Sequence, residues 1–191
     1  MSKEGRGTRE LGNKLFRLYL RAVNCPKIHR PDGETADNKP KIYVCGEISA
    51  REKVSLAGAL KCSVILSRNE YLGCTVMHTI GTRKVIVADG GFNTEWIHEA
   101  LRRLKHGESV MIFAESAEYG CAALMSLLSG AQIFPIAAQY SRSKYKPFRR
   151  HNIMVGAPIL PSGNSVMSAE WVNSEIRRID TAISEIKGVR P

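Results

Sequence analysis

No stretch of this 191-residue chain is apolar over the roughly 18 residues needed to cross a bilayer, and its first ten residues, MSKEGRGTRE, are polar. Neither a spanning helix nor a secretory leader is therefore expected, and the chain is placed in the cytoplasm, with any membrane contact peripheral, on the inner face. Cysteine is sparse and unpatterned: Cys25, Cys45, Cys62, Cys74 and Cys121 form an odd set without C-x-x-C spacing. That argues against a disulfide framework or a zinc site, and for reduced thiols used in packing. No metal ligand set is read. G-x-G-x-x-G and the Walker pattern are both missing, although Asp89-Gly90-Gly91 has the composition of a phosphate loop. Acidic residues are in deficit, 18 against 28 basic ones for a formal charge of +10. An anionic partner is expected: a phosphate ester, a membrane surface or nucleic acid.

What is present suffices for one core, since 43% of the residues are hydrophobic and no shift in composition marks a second unit. Residues 1–9 read as a disordered basic lead and 10–191 as a single domain. Over 11–23, Leu11, Leu15, Leu18, Tyr19 and Ala22 fall at helical spacing, with Lys14, Arg17 and Arg21 between them. Such a helix packs on the core, lies on anionic lipid, or does both when half buried. Residues 26–40 form a polar loop with one short strand near Ile28. The stretch KIYVCGEISARE, residues 41–52, is a buried strand that Gly46 ends and that runs straight into a helix start, with Ser49 and Glu52 in capping-box spacing.

Beyond it the spacing predicts helix 49–60, strand 62–66, strand 83–89, helix 94–105, strand 109–114, helix 121–128, strand 132–138, a strand at 153–155 and helix 168–186. Residues 71–79 fit neither pattern. Strands and helices alternating with short connections predict a largely parallel sheet covered on both faces. In such folds ligands meet the carboxyl ends of the strands, and there the chain carries two carboxylates, Glu47 and Glu52, five residues apart. Farther on, YSRSKYKPFRRH at 140–151 interleaves Tyr140, Tyr145 and Phe148 with Arg142, Lys144, Lys146, Arg149 and Arg150. It is a solvated loop, or one resting on anionic headgroups at about 1 kcal/mol per basic residue. With no nucleic-acid motif beside it, nucleic acid ranks last among the partners.

Between about 81 and 159, the segments GTRKVIVADGG, LRRLKHGESVMIFAES, GAQIFPIAAQY and VGAPI follow one another in an order that resembles the glycerolipid acyltransferase family, which includes glycerol-3-phosphate and lysophosphatidic acid acyltransferases. Leu104-Lys105-His106-Gly107 and Phe113-Ala114-Glu115-Ser116 occupy the family's middle blocks, Pro135 its later proline, and Gly156-Ala157-Pro158-Ile159 its terminal Gly-x-Pro-Ile. The resemblance implies a single α/β domain with a mostly parallel sheet flanked by helices. It also implies acyl-CoA or acyl-carrier protein as co-substrate, with no other cofactor, and a glycerol-phosphate or lysophospholipid acceptor. Ser49, Asp89, Gly90, Glu115, Ser116 and Pro135 become the implied substrate-binding positions.

The chain departs from the family where chemistry is done. The family's first block is Asn-His-x-Ser-x-x-Asp, a histidine base oriented by an aspartate. With its serine on Ser49, Glu47 stands in place of the histidine and Glu52 in place of the aspartate. The arginine of the second block, implied to hold the acceptor phosphate, falls at or beside Gly90, directly after Asp89. In the third block Glu115 persists, but Ala114 replaces the proline, Ser116 the glycine, and Glu118 falls near the arginine. None of His29, His78, His98, His106 and His151 has an aspartate five residues on. A carboxylate with a pKa of about 4.3 is a poor base for an alcohol at neutral pH. Three expectations follow: a degenerate acyltransferase-like protein binding lipid, an acyl ligand or a partner enzyme; an active acyltransferase with an altered site; and a basic nucleic-acid module. A plainer account of Glu47 and Glu52, as a helix-start carboxylate and a capping residue, stands beside all three.

Overall fold

Strands buried on both sides read as continuous apolar runs, because neither face offers water to a polar side chain. Ile42-Tyr43-Val44-Cys45 and Val110-Met111-Ile112-Phe113 are such runs, and every one of these residues is buried. In the computed structural model, residues 27–30, 39–46, 48, 50–73, 85–88, 94–113, 119–140, 151–162 and 168–188 are described. Their elements are β1 (Lys27–His29), β2 (Lys41–Cys45), α1 (Ala50–Leu60), β3 (Ser63–Ser67), α2 (Arg68–Gly73), β4 (Val85–Ala88), α3 (Glu95–Lys105), β5 (Val110–Phe113), α4 (Tyr119–Ser129), β6 (Gln132–Tyr140), β7 (His151–Val155) and α5 (Ala169–Gly188).

One seven-stranded sheet results, in the order β1-β7-β6-β2-β5-β3-β4. The five strands from β6 to β4 run parallel. β7 is antiparallel to β6, and β1 pairs with β7 in parallel, so the sheet reverses at this side. The expected mostly parallel α/β sheet flanked by helices is what the chain forms. Alternate residues divide the core. Tyr43, Cys45, Met111, Phe113, Phe134 and Ile136 meet Leu56, Ala57 and Leu60 of α1 on one face. On the other, Ile42, Val44, Val110, Ile112 and Ile133 meet Ala100 and Leu104 of α3, Ala122 and Met125 of α4, and Ile179 and Ile183 of α5. The thiols of Cys45 and Cys62 are buried, consistent with packing roles, whereas Cys121 is half-buried.

Helix α3 follows its sequence signals closely. Glu95 lies in its first turn and Arg102, Arg103 and Lys105 in its last, each complementing the helix dipole. His106 N–H donates to the carbonyls of Arg102 and Arg103, and Gly107 then takes φ +81°, a conformation that ends helices cheaply only at glycine. Helix α5 buries a different line from the one that the apolar spacing of Val172, Ile176, Ile179, Ile183 and Ile186 predicts. Val172, Ile176 and Ile186 are half-buried, and the fully buried line is Trp171, Glu175, Ile179 and Ile183. Glu175 is tolerated inside because its carboxylate accepts hydrogen bonds from Arg178 Nη1 at 2.9 Å, Ser162 Oγ at 2.7 Å and Ser162 N–H at 3.2 Å.

Residues 71–79, which fit neither pattern in the sequence, contain the end of the short helix α2, up to Gly73; residues 74–80 lie outside the described set. What starts α2 is a capping box. Ser67 Oγ accepts from Glu70 N–H at 3.4 Å while Glu70 Oε2 accepts from Ser67 N–H at 3.0 Å.

Pro135 lies in an interior strand, where proline is rare. The β6–β7 ladder ends at the Ile136–Val155 pair. The following pair keeps one bond, from Gly156 N–H to the Pro135 carbonyl at 2.8 Å, and proline has no N–H to return the other. The chain therefore leaves the ladder at Gly156 and rejoins β6 through paired bonds of 3.0 and 2.8 Å between Ile133 and Ile159. A Cβ at Gly156 would lie 2.9 Å from Pro135 Cγ and closer still to Ile186 Cδ1.

Candidate functional site

Parallel strands in register bring their carboxyl ends to one edge, which is where this fold class keeps its ligand sites. Cys45 at the end of β2 pairs with Phe113 of β5 and Ile136 of β6, and Ser67 at the end of β3 pairs with Ala88 of β4. Glu47 and Ser49 follow β2, Asp89 and Gly90 follow β4, and Glu115 and Ser116 follow β5 in the sequence; all six lie outside the described residues. So do the helix expected at 11–23 with Lys14, Arg17 and Arg21, and the basic residues Arg142, Lys144, Lys146, Arg149 and Arg150. The backbone of Glu52 belongs to α1. Pro135 is buried in β6, where its missing N–H sets the end of a ladder.

The described part of this edge has a charged pair with no precedent in the sequence patterns. Lys53, one residue past Glu52 on α1, reaches Glu70 Oε1 of α2 at 2.6 Å. Its side chain is only 3% exposed, against 26% for Glu70, and its ammonium sits 5.3 Å from the centroid of the Phe113 ring. Burial pushes the Glu70 carboxyl up. Hydrogen bonds from Lys53 and from Ser67, with the nearby ammonium charge, outweigh that and hold it below the usual carboxylate value. The end of β3, the start of α1 and the end of β5 are thus tied by one ion pair. Gly46, also buried, lies at the end of β2, and a Cβ there would stand 3.1 Å from Lys187 Nζ of α5. Among the described residues no group of three or more His, Cys, Asp or Glu side chains is placed to hold a metal ion.

The opposite, amino edge is laced differently. Arg103 Nε donates to Glu99 Oε1 at 2.8 Å, Nη1 to Ser63 Oγ at 2.8 Å and Nη2 to the Val85 carbonyl at 3.4 Å. Ser63 Oγ in turn donates to Glu108 Oε2 at 3.2 Å. Ser109 accepts from Ser63 N–H at its carbonyl at 2.9 Å, and from Lys41 N–H at its hydroxyl at 3.0 Å. Hydrogen bonds from Arg102 and Arg103 hold the Glu99 carboxyl down at about 2. These contacts join the starts of four strands.

Of the groups now visible, Lys53, Glu70 and Lys187 escaped sequence reasoning. The S-x-x-E spacing of Ser67 and Glu70 was a usable signal; nothing local marks Lys53 or Lys187, whose neighbours are distant in the chain.

No family model matches the chain, and no curated protein matches it. A solved structure does: the crystal structure of the 1-acyl-sn-glycerophosphate (LPA) acyltransferase PlsC from Thermotoga maritima matches with a TM-score of 0.61 and 13% identity, covering 100% of this chain and 86% of that one. The likeness is one of fold: a single mostly parallel α/β sheet flanked by helices. Among the described residues no helix is long and apolar enough to cross a membrane.

Proposed function

We propose that this chain is an acyltransferase-like protein that binds a lysophospholipid or another acylated, phosphate-bearing ligand at the carboxyl edge of its sheet without efficient acyl transfer. The observation that carries the reading is a fold similar to that of an LPA acyltransferase over the whole chain, combined with Glu47 and Glu52 at the β2–α1 junction where the resembling family has histidine and aspartate. Two carboxylates orient no base at neutral pH unless they share a proton, and a shared proton suits acid-catalysed hydrolysis better than attack on a thioester. Ser49, Asp89, Gly90, Glu115 and Ser116 line the ligand in this reading. The cations Lys14, Arg17, Arg21, Arg142, Lys144, Lys146, Arg149 and Arg150 rest on an anionic membrane surface, and a partner enzyme is the natural recipient of a bound but unreacted ligand.

The test is an assay of the purified protein with acyl-CoA or acyl-carrier protein as donor and glycerol 3-phosphate or lysophosphatidic acid as acceptor, run beside direct binding of lysophosphatidic acid. Binding without turnover is expected. Turnover that Glu47→Gln abolishes would establish instead the active enzyme with an altered base, and its pH profile would then be shifted toward acid.

A further inference from the structure

Among the described residues no helix stands over the face on which β7 is buried. Ile153 and Val155 of this strand are 1% and 6% exposed, and belong with Tyr43, Phe134 and Ile136 to the core on the α1 side of the sheet. Asn152 and Met154, which alternation turns to the other side, that of α5, are only half-buried. Helix α1 does not account for this. It joins β2 to β3 and meets the sheet through Leu56, Ala57 and Leu60, whereas β7 lies two strands beyond β2, about 10 Å away, on the side opposite β5 and β3. Ile28 of β1 and Ala138 of β6 extend the same apolar wall.

Chain direction and composition single out one segment to cover it. β1 is parallel to β7 and β7 antiparallel to β6, so Lys27, level with Asn152 and Gln139, stands at the carboxyl edge, past the Cys45–Ile136 pair. From residue 23 to Lys27 the chain reaches about 14 Å at most. A helix over 11–23 would be about 20 Å long, enough to run along the wall. Its Leu11, Leu15, Leu18 and Ala22 share one side, which Phe16, Leu20 and Val23 widen past half the circumference; Lys14, Arg17 and Arg21 keep a narrow strip. A helix apolar over so wide an arc calls for enclosure. The segments that follow β1 and β6 directly, PDGETADN at 31–38 and SRSKYKPFRR at 141–150, are too polar to seal such a wall.

We infer that residues 11–23 seat as a helix on the apolar wall of β6, β7 and β1, so that the protein takes up its apolar side and only Lys14, Arg17 and Arg21 are left to an anionic bilayer. Contact with lipid through this segment is then electrostatic and shallow. The seat on the wall stands without the function proposed above; its consequence for lipid rests on the membrane contact of that reading.

Amide hydrogen exchange of the full chain without lipid reads the docking. A helix of this length is marginal in water by itself, so exchange at least about a hundredfold slower than in an unstructured segment requires a seat. Ile28→Asn, at the half-buried rim of the wall, should cut that protection at least about tenfold and leave α3 at the parent's value. If α3 falls as well, Val155→Ala, a milder cut in the same wall, is read in its place and should act in the same direction. For lipid, the emission added by Tyr19→Trp should be unquenched by brominated phosphatidylcholine in vesicles that also contain phosphatidylserine. Exchange at the unstructured rate without lipid, protection indifferent to the wall variants, or quenching by the brominated lipid overturns the inference. A protected, wall-dependent segment in a protein that sediments with no vesicles upholds the docking and removes the membrane contact from the proposed function. Lysophosphatidic acid binding by a protein whose residues 11–23 exchange freely does the opposite.

Discussion

The two edges of one sheet are held by opposite means. At the amino edge a guanidinium fork, four hydroxyl or carboxylate groups and two backbone N–H donors join strand starts to one another and to α3. At the carboxyl edge the described residues include the Lys53–Glu70–Ser67 cluster, and Lys187 lies beside a glycine. If the proposed ligand meets the carboxyl edge, the polar network at the amino edge stabilises the sheet away from it. Stability and binding should then be separable by mutation.

The largest effect is expected from Glu70→Gln. It removes a carboxylate that pairs with an almost fully buried ammonium, and breaking a buried ion pair is costly; a loss of about 3 kcal/mol in urea unfolding is anticipated. Replacing Lys53 and Glu70 together by Met and Leu should restore much of it, because the desolvated charge is then gone. If the single change costs less than the double, the pair is not held by electrostatics. Next comes Arg103→Ala, which strips the amino edge of its fork for about 2 kcal/mol, while any lysophosphatidic acid binding measured for the parent should be retained. Binding lost in proportion to stability would show that the edges are coupled after all.

The smallest effect concerns pH. Glu99 is lowered from 4.5 to about 2 by its two arginines, so its contribution is complete above 4.5 and is lost as pH falls through the folded value near 2. Glu70 is lowered too and acts in the same direction. The stability gap between the parent and Glu99→Gln should therefore be open at pH 6 and narrow steadily below about pH 4.5. Because Glu99 is partly exposed, the gap is small and shrinks in high salt. A gap that widens in acid would contradict the assignment.

Much of the fold was legible because its strands are buried on both faces, where apolar runs such as 42–45 and 110–113 have few alternatives. The order of strands and helices then followed from short connections. The reversal at β7 was less accessible: β6 runs on to Tyr140 and pairs back through His151, and nothing in the apolar content of 153–155 states a direction. Helix α2 is six residues long, too short to show a period, though its capping box was in plain view. In the candidate site the sequence supplied Glu47, Glu52 and Glu115 as positions. It was silent on Lys53 and Lys187, because their partners are chosen by how α1, α2 and α5 dock. Pro135 and Gly156 were visible as members of an ordered set of blocks, and only the hydrogen bonding gave them a reason.

That reason reaches further than the ladder it ends. An imino acid at 135 acts as a stop: if β7 slid by two residues so that its ladder ran on past 135, the proline would come where a donor is required, and that register is disfavoured. The rejoining at Ile159, the seat of Ile186 on Gly156 and the reach of Lys187 to Gly46 are all measured from that stop. Pro135 is in this sense a ruler's zero mark, and the distance it sets is that between a charge and the end of the central strand.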